Sequence, residues 1–367
     1  MRKIAIIGAS TGQLPLCKKA KEMGLETICF AWEQGAICRD FVDKFYPISV
    51  FEMDKILEIC QQEQIDGVVS NASDVLAEVV AYISEKMNLI GNSVTSIRNI
   101  RNKYHVRGIT EHLEGLKTIR YNKYSGNTPS FFPCIVKPIS GASKKGVHFV
   151  PNSDAFDSAI NYALEISDDI LIEEYIDGNE ISVETISYKG KHHILQFTDK
   201  DTSGPPHFVE LGHHQPTNLP ISIQKKIQCA VPQLLSAVGL NNGAAHIELK
   251  INAEGNIYLI EINPRGGGDE ISSQLVMLST GYDYIKSMIE VALEDFQAPI
   301  IQNIMHSGIY FLCQQTKENI DFFKKADKKP WLIEKKIENY NLSLATGNYD
   351  RNGYIIYQHP TRVNYED

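Results

Sequence analysis

The stretch LIEINPRGGGD, residues 259–269, decides how the rest of the chain is read. An apolar run, Tyr258-Leu259-Ile260, leads into Glu261, Asn263 and Arg265, with Ile262 and Pro264 between them. Alternate residues of a β-strand point to the same side. A strand ending here therefore presents a carboxylate, an amide and a guanidinium on one face, and then stops in three glycines, Gly266–Gly268.

The strand before it makes that arrangement chemical. In AAHIELKINAEGNIYLIEIN, residues 244–263, the turn NAEGN separates two strand-like runs, about 245–251 and 257–263. This is a hairpin signal. His246, Glu248 and Lys250 share a face of the first strand, and Glu248 falls roughly across from Glu261. Two facing carboxylates repel unless a cation or a proton lies between them. With the amide oxygen of Asn263 they form a hard-ligand set suited to Mg²⁺ or Mn²⁺. A solvated sheet face could carry the same acids. Arg265 and the glycines crowding that end argue against it.

Two further stretches lie upstream. In CIVKPISGASKKGV (134–147), Lys137 ends an apolar strand and a Gly/Ser-rich turn runs from Ser140 to Gly146. Such a turn can offer backbone N–H groups to phosphate oxygens, although it is not a Walker A loop. In ILIEEYIDGNE (170–180), an apolar strand runs through Glu173, Glu174, Tyr175 and Ile176 into an Asp-Gly turn, with Glu180 beyond. Each alone reads equally well as an ordinary turn.

The order is what is specific. A basic helix containing Lys103 comes first, then strand, Lys137 and glycine loop, then E-E-Y-I-D-G-x-E, then H-I-E…E-I-N-P-R. This succession resembles the ATP-grasp superfamily of carboxylate–amine/thiol ligases over roughly residues 90–300. The resemblance implies a role for each matching position. Lys103 and Lys137 would hold the α- and β-phosphates of ATP. Ser140, Gly141, Ser143 and Gly146 belong to the loop that would close over the triphosphate. Glu173, Glu174, Tyr175 and Ile176 form the segment at the adenine edge, Glu180 would bind the ribose, and His246 is counted on the nucleotide side. Glu248, Glu261 and Asn263 would hold two magnesium ions. Arg265, with Lys137 the catalytic pair, would steady the γ-phosphate and the acyl-phosphate. Gly266 and Gly267 would let the substrate approach the backbone. The segment FTDKDTSGPPHFVELGHHQP (197–216) resembles the amino-acid ligases and the carbamoyl-phosphate-synthetase-like group, which puts Glu210, His213 and His214 at the carboxylate substrate. A surface loop with chance histidines is the competing reading of that segment.

The N-terminal part fits the same picture. Residues 1–90 alternate strand and helix signals: Lys3–Ile7, a helix ending near Gly24, Leu25–Phe30, Phe51–Gln62, Gly67–Ser70, Val75–Met87. That order implies a parallel sheet with helices on both faces. The turn GASTG (8–12) lacks the G-x-G-x-x-G fingerprint, and NAD binding is not expected. Residues 94–113 read as one basic helix, and 153–166, 222–238 and 283–294 as further helices among short strands. The expected fold is α/β plus α+β: an N-terminal Rossmann-like preATP-grasp domain (1–90), an ATP-grasp nucleotide-binding and catalytic region (91–300) and a C-terminal subdomain completing the fold (301–367).

Bulk composition sets the remaining bounds. With 367 residues, 43% hydrophobic and 22% charged, the chain can bury real cores. Net charge is −9 without a basic block, which excludes a nucleic-acid backbone as main partner. No apolar run reaches the length of a membrane span, and the apolar start of MRKIAIIGAS is too brief for a signal peptide. Seven scattered cysteines without a CxxC fit a reduced, cytoplasmic protein rather than a zinc site or disulfide framework. The expected function is an ADP-forming carboxylate–amine ligase making an amide or peptide bond through an acyl-phosphate. An amino acid is the expected substrate, ATP and Mg²⁺ (or Mn²⁺) the cofactors, small-molecule acids and amines the partners, and a homodimer an allowed assembly. The alternatives are a bicarbonate-using or purine-type ligase and a catalytically silent ATP-binding protein.

Overall fold

A computed structural model describes residues 1–141 and 145–367. The chain opens with β1 (Lys3–Ile7), α1 (Leu14–Glu22), β2 (Glu26–Ala31), β3 (Lys44–Pro47), α2 (Met53–Glu63), β4 (Gly67–Val69) and α3 (Asp74–Met87). The strands form a parallel sheet in the order β3-β2-β1-β4. Apolar strands of this kind are buried on both faces, and successive residues supply two different cores. Ile4, Ile6 and Cys29 pack with Leu16 and Ala20 of α1. Ala5, Ile7, Ile28 and Phe30 pack with Ile56 of α2 and with Leu76, Val79 and Ile83 of α3. Gly8 turns the chain after β1 at φ 92°, and a Cβ there would lie 2.6 Å from Leu76. Glycine is thus required by the tight turn.

The single helix expected over 94–113 is two, α4 (Val94–Arg101) and α5 (Lys103–Thr110). Asn102 leaves helical geometry at ψ 97°, and its side chain accepts a hydrogen bond from His105 N at 2.9 Å. It is an N-cap, satisfying one of the donors a new helix exposes.

Next comes a small antiparallel sheet, ordered β5-β8-β6-β7: β5 (Tyr121–Lys123), β6 (Cys134–Pro138), β7 (His148–Val150) and β8 (Ile170–Glu174), with α6 (Phe156–Leu164) before β8. Cys134, Val136, Ile170 and Ile172 bury one face against Phe156, Ala159, Ile160 and Ala163 of α6. Strand alternation leaves Lys137 and Glu173 on the other face.

The largest sheet is antiparallel and eight-stranded: β9 (Asn179–Tyr188), β10 (Lys191–Thr202), β11 (Glu210–Gln215), β12 (Gly243–Ile251), β13 (Ile257–Asn263), β14 (His306–Leu312), β15 (Leu332–Ile337) and β16 (Gly353–His359). Its order is β13-β12-β9-β10-β11-β14-β16-β15. Ile181, Val183, Ile247, Leu249, Leu259 and Ile262 bury one face against Ile227, Val231, Leu234 and Leu235 of α7 (Ile221–Ala237). The other face carries Glu180, Ser182 and Glu184 of β9 beside Lys250, Glu248 and His246 of β12.

A β-bulge makes β13 fit both faces. Glu248 pairs with Glu261 while Leu249 pairs with Leu259, so Ile260 is skipped. An extra residue reverses which side the later residues face. Leu259 and Ile262 can both be buried, and Glu261 and Asn263 both emerge on the polar side. β14, β15 and β16 extend the same sheet, so residues 306–359 are continuous with it through the β11–β14 pairing.

Candidate active site

The polar end of the β12–β13 hairpin holds the two acids. Glu248 lies directly opposite Glu261, and His246 opposite Asn263. The acids coexist because each has its own cation. Glu248 Oε1 is 2.8 Å from Lys200 Nζ and 3.2 Å from His246 Nε2. Glu261 Oε1 is 2.9 Å from Lys103 Nζ at the start of α5. Burial would raise the Glu248 carboxyl, but Lys200 and His246 outweigh it and hold the group well below its ordinary value. Burial would likewise lower His246. Glu184, 2.5 Å from Nδ1, and Glu248 instead push it up to about 9, which keeps the imidazole cationic at neutral pH. His246 thus orients Glu248 from behind.

Arg265 follows on the same end. Its Nε is 3.0 Å from Asp74 Oδ1, at the first turn of α3. The Asn263 amide abuts the same carboxylate at 3.1 and 3.3 Å, and it donates there with its nitrogen assigned to that side by the hydrogen-bond pattern. The N-terminal sheet unit therefore supplies a group that fixes both Arg265 and Asn263. Among the described residues no set of three or more His, Cys, Asp and Glu side chains is grouped as a metal site. The oxygen donors at this end are two carboxylates and an amide.

Beside them is a buried ion triad drawn from the small sheet and α5. Glu173 sits between Arg107 Nε at 2.6 Å and Lys137 Nζ at 2.5 Å. Arg107 NH2 also donates to the Ile260 carbonyl at 2.8 Å, the group left over by the bulge. Burial would raise Glu173, but Arg107 and Lys137 hold it at about 2. Within the segment expected at the adenine edge, the Glu173 side chain is committed to this triad. It faces inward, diagonal to Lys137 across β6–β8, because alternate strand residues share a face. Glu174 turns the other way, to Arg120 Nε at 2.7 Å, and its backbone N donates to the Arg120 carbonyl. The Tyr175 ring packs on Phe149 with Lys250 Nζ 4.9 Å from its centroid, and Lys250 also donates to the Ile176 carbonyl at 3.2 Å.

The glycine loop is in part on view. Ser140 and Gly141 are exposed, and the Gly141 carbonyl accepts from Lys103 Nζ at 3.2 Å. Gly146 turns at φ 74° against Pro138. Ser143 lies outside the described residues.

A second buried lysine organises the far side. Lys200 Nζ contacts Glu248, Glu180 (3.2 Å) and Glu210 (3.3 Å). The segment holding Glu210, His213 and His214 is strand β11 rather than a surface loop. Consecutive strand residues cannot share a face, so the two histidines part. His213 lies across from Lys200 and reaches Asp269 at 3.5 Å. His214 faces the opposite side, bonded to Tyr357 OH and Asp201, each at 3.0 Å. The expectation that both histidines line one pocket is corrected for His214.

The glycines are corrected as well. A Cβ on Gly266 would lie 2.6 Å from Met288 and 2.7 Å from Asn71. One on Gly267 would lie 2.9 Å from His246 Nδ1. Protein atoms occupy that space at Gly266 and Gly267, whereas nothing lies within 4 Å of a Cβ on Gly268. The absent side chains let the turn pack under the catalytic end, where Gly267 N donates to Glu184 Oε2 at 3.1 Å.

Lys200, Arg107, Glu184 and Asp74 were not singled out from the sequence. Arg107 stands one helical turn after Lys103, and Glu184 continues the i, i+2, i+4 series of Glu180 on one strand face. These were readable signals. Lys200 and Asp74 gain their meaning only from partners on distant strands.

Residues 130–274 match the family described as the ATP-grasp domain. That segment and the fold are those of the ATP-grasp domain. Among similar solved structures is an L-amino acid ligase from Bacillus licheniformis, 24% identical at a TM-score of 0.80, covering 98% of this chain and 94% of that one. Another is an ADP complex of the N5-carboxyaminoimidazole ribonucleotide synthetase purK, 15% identical at a TM-score of 0.77, covering 98% and 93%. Among curated relatives, a formate-dependent phosphoribosylglycinamide formyltransferase of Hydrogenovibrio crunogenus is 24% identical over 72% of this chain and 69% of its own length. A D-alanine–D-alanine ligase of Geotalea uraniireducens is 29% identical over 38% of this chain, which spans 46% of that relative. No helix among the described residues is long and apolar enough to cross a membrane.

Proposed function

We propose that the protein is an ATP-dependent carboxylate–amine ligase that joins an amino acid to an amine through an acyl-phosphate, releasing ADP and phosphate. One observation carries the reading: Glu248 and Glu261 oppose each other on neighbouring strands, each held by a lysine, and the Lys137–Glu173–Arg107 cluster is tied to the same strand by Arg107 NH2 at the Ile260 carbonyl. The likeness to an L-amino acid ligase structure supports the choice of substrate class.

The donors fit magnesium: Glu248, Glu261 and Asn263 would supply hard oxygens, and Lys103 and Lys200 neutralise the acids until a divalent cation takes that part. Two ions are proposed, and bound there they would neutralise phosphate oxygens during phosphoryl transfer. Lys103 and Lys137 are the phosphate cations, with Ser140, Gly141 and Gly146 in the covering loop. Glu180 is assigned to the ribose, and backbone groups of Glu174 and Ile176 to the adenine edge. Arg265, kept in place by Asp74, steadies the γ-phosphoryl group as the substrate carboxylate takes it from ATP and ADP leaves. The amine then attacks the acyl carbon, phosphate departs, and the amide bond remains. Glu210 and His213 stand on the acid's side. The boundaries near residues 90 and 300 are proposed as the limits of three subdomains.

The test is a phosphate-release screen over pairs of amino acids and amines with Mg-ATP. The expected spent nucleotide is ADP, read by chromatography. AMP and pyrophosphate would overturn the acyl-phosphate route, and turnover only with bicarbonate or formate would favour the purine-type alternative.

A further inference from the structure

The turn after Arg265 is held in an unusual shape. Asp269 and Glu270 have φ of 49° and 61°, a left-handed region that residues with a Cβ enter only when their surroundings hold them there. The holding group comes from the other end of the chain. Arg351 NH1 and NH2 are 2.9 and 2.7 Å from the two Asp269 carboxylate oxygens, a two-pronged fork. The guanidinium lies 3.6 Å from the Phe311 ring centroid. Its Nε donates to the Asn348 carbonyl at 2.7 Å, and NH1 also reaches the Glu210 carbonyl at 3.4 Å. Asn348 in turn accepts from Glu210 N at 3.1 Å. Burial would raise the Asp269 carboxyl, but His213 and Arg351 hold it well below the carboxylate range, so the pair is ionic.

Two walls of the proposed site meet at this arginine. One is the turn 266–270, tied to the catalytic acids through Gly267 N, Glu184 and His246. The other is the start of β11, whose Glu210 reaches Lys200 and whose His213 reaches Asp269. The guanidinium is already committed to Asp269 and two carbonyls, so it is not an open receptor for a substrate carboxylate. We propose that Arg351 is a positioning residue for acceptor specificity: it clamps Asp269 in the left-handed conformation and locks the glycine turn against β11, giving residues beyond 300 a part in the site. The proposal rests on the ligase reading for its substrate effect and on geometry alone for the clamp.

Arg351→Lys keeps the charge and the stem but loses the planar fork, and Asp269→Asn keeps the shape but loses the charge. In the amino-acid and amine screen with Mg-ATP, both should raise the acceptor KM about tenfold and alter the range of accepted amines or acids. Affinity for a non-hydrolysable ATP analogue should stay within about twofold, because the fork's partners are Asp269, Asn348 and Glu210 rather than Lys103 or Lys137. Hydrogen exchange read by mass spectrometry should be at least about tenfold faster in peptides spanning 266–271 of either variant, with the first parallel sheet unchanged. Exchange and acceptor KM both equal to wild type in both variants would overturn the clamp. If the wild type turns over no pair in the screen, the ligase reading falls, and the exchange measurement by itself decides the clamp.

Discussion

Lys137 and Lys200 are both buried and both sit on strands, yet they stand in opposite company. Around Lys137 there are two other cations, Arg107 and Lys103, and the carboxylate of Glu173. Around Lys200 there are three carboxylates, Glu180, Glu210 and Glu248. Burial and the neighbouring cations push the Lys137 ammonium below its ordinary value despite Glu173. Burial would lower Lys200 too, but its three carboxylates raise it well above. The proposed site therefore has a cation-rich wall on the small sheet and an anion-rich wall on the large one. A polyphosphate complements the first and a divalent cation or an amine the second, and charge alone would orient Mg-ATP between them.

The sharpest way to break that comparison is to remove each lysine in turn and measure stability. Lys200→Met leaves the buried carboxylate of Glu210 and the half-buried ones of Glu180 and Glu248 without their shared cation, and breaking a buried pair this way costs about 3–5 kcal/mol. Lys137→Met removes an ammonium that its surroundings disfavour, while Arg107 still neutralises Glu173, so denaturation should stay within about 1 kcal/mol of wild type. The pH dependence has the same asymmetry. A lysine raised above 10.5 contributes stability that is fully present below that pH and is lost only as pH climbs through its folded value. A lysine lowered below 10.5 costs stability at neutral pH, and the cost is relieved as pH rises through its folded value. Equal losses from the two substitutions would erase the distinction between the walls.

A smaller effect is expected where the anion-rich wall does its proposed chemistry. Glu261→Gln keeps size and hydrogen bonding and removes one charge from the metal set. Turnover should fall by about a hundredfold or more, the loss expected for a preorganised electrostatic group. Lys103 loses its carboxylate partner, but both side chains reach solvent in part, so unfolding should shift by less than about 1 kcal/mol. Near wild-type turnover in Mg-ATP would remove Glu261 from the ligand set.

Much of this wall was legible in the strand period. H-I-E-L-K and E-I-N each place their polar residues on one face, and the short turn between them sets Glu248 opposite Glu261. The bulge at Ile260 was not legible, because a period-2 reading has no place for a skipped residue. The companions of Lys200 come from positions 180, 210 and 248, brought together only by sheet order β12-β9-β10-β11. The reading of Gly266 and Gly267 failed for a different reason. A glycine announces a close approach but not which neighbour approaches, and here it is Met288, Asn71 and His246. ELGHH invited a loop reading because Gly204, Pro205 and Pro206 precede it, and a loop does not say which of two adjacent histidines faces inward.

That last point gives the finest test, since His213 and His214 are neighbours in sequence and on opposite faces in space. His213 shares the side of Lys200 and Asp269, so His213→Ala should act on substrate. Loss of a neutral hydrogen bond at about 0.5–1.5 kcal/mol corresponds to a rise of about two- to tenfold in the acid's KM, with ATP-analogue affinity unchanged. His214 is buried between Tyr357 and Asp201, so His214→Ala should act on stability. It strips a partner from the buried Tyr357 hydroxyl, at about 1–3 kcal/mol, and should leave every KM alone. The pH profile separates the two again. Burial holds His214 below its ordinary 6.5 in spite of Asp201, so the unfolded chain binds a proton there that the folded chain resists. Wild-type stability should therefore fall as pH drops below about 6.5, and His214→Ala should flatten that slope. Substrate titrations and urea midpoints for both variants at pH 5.5 and 7.5 decide the matter. A KM change from His214→Ala equal to that from His213→Ala would mean the two faces of β11 are not distinguished by the chemistry, and Glu210 would become the first residue to re-examine.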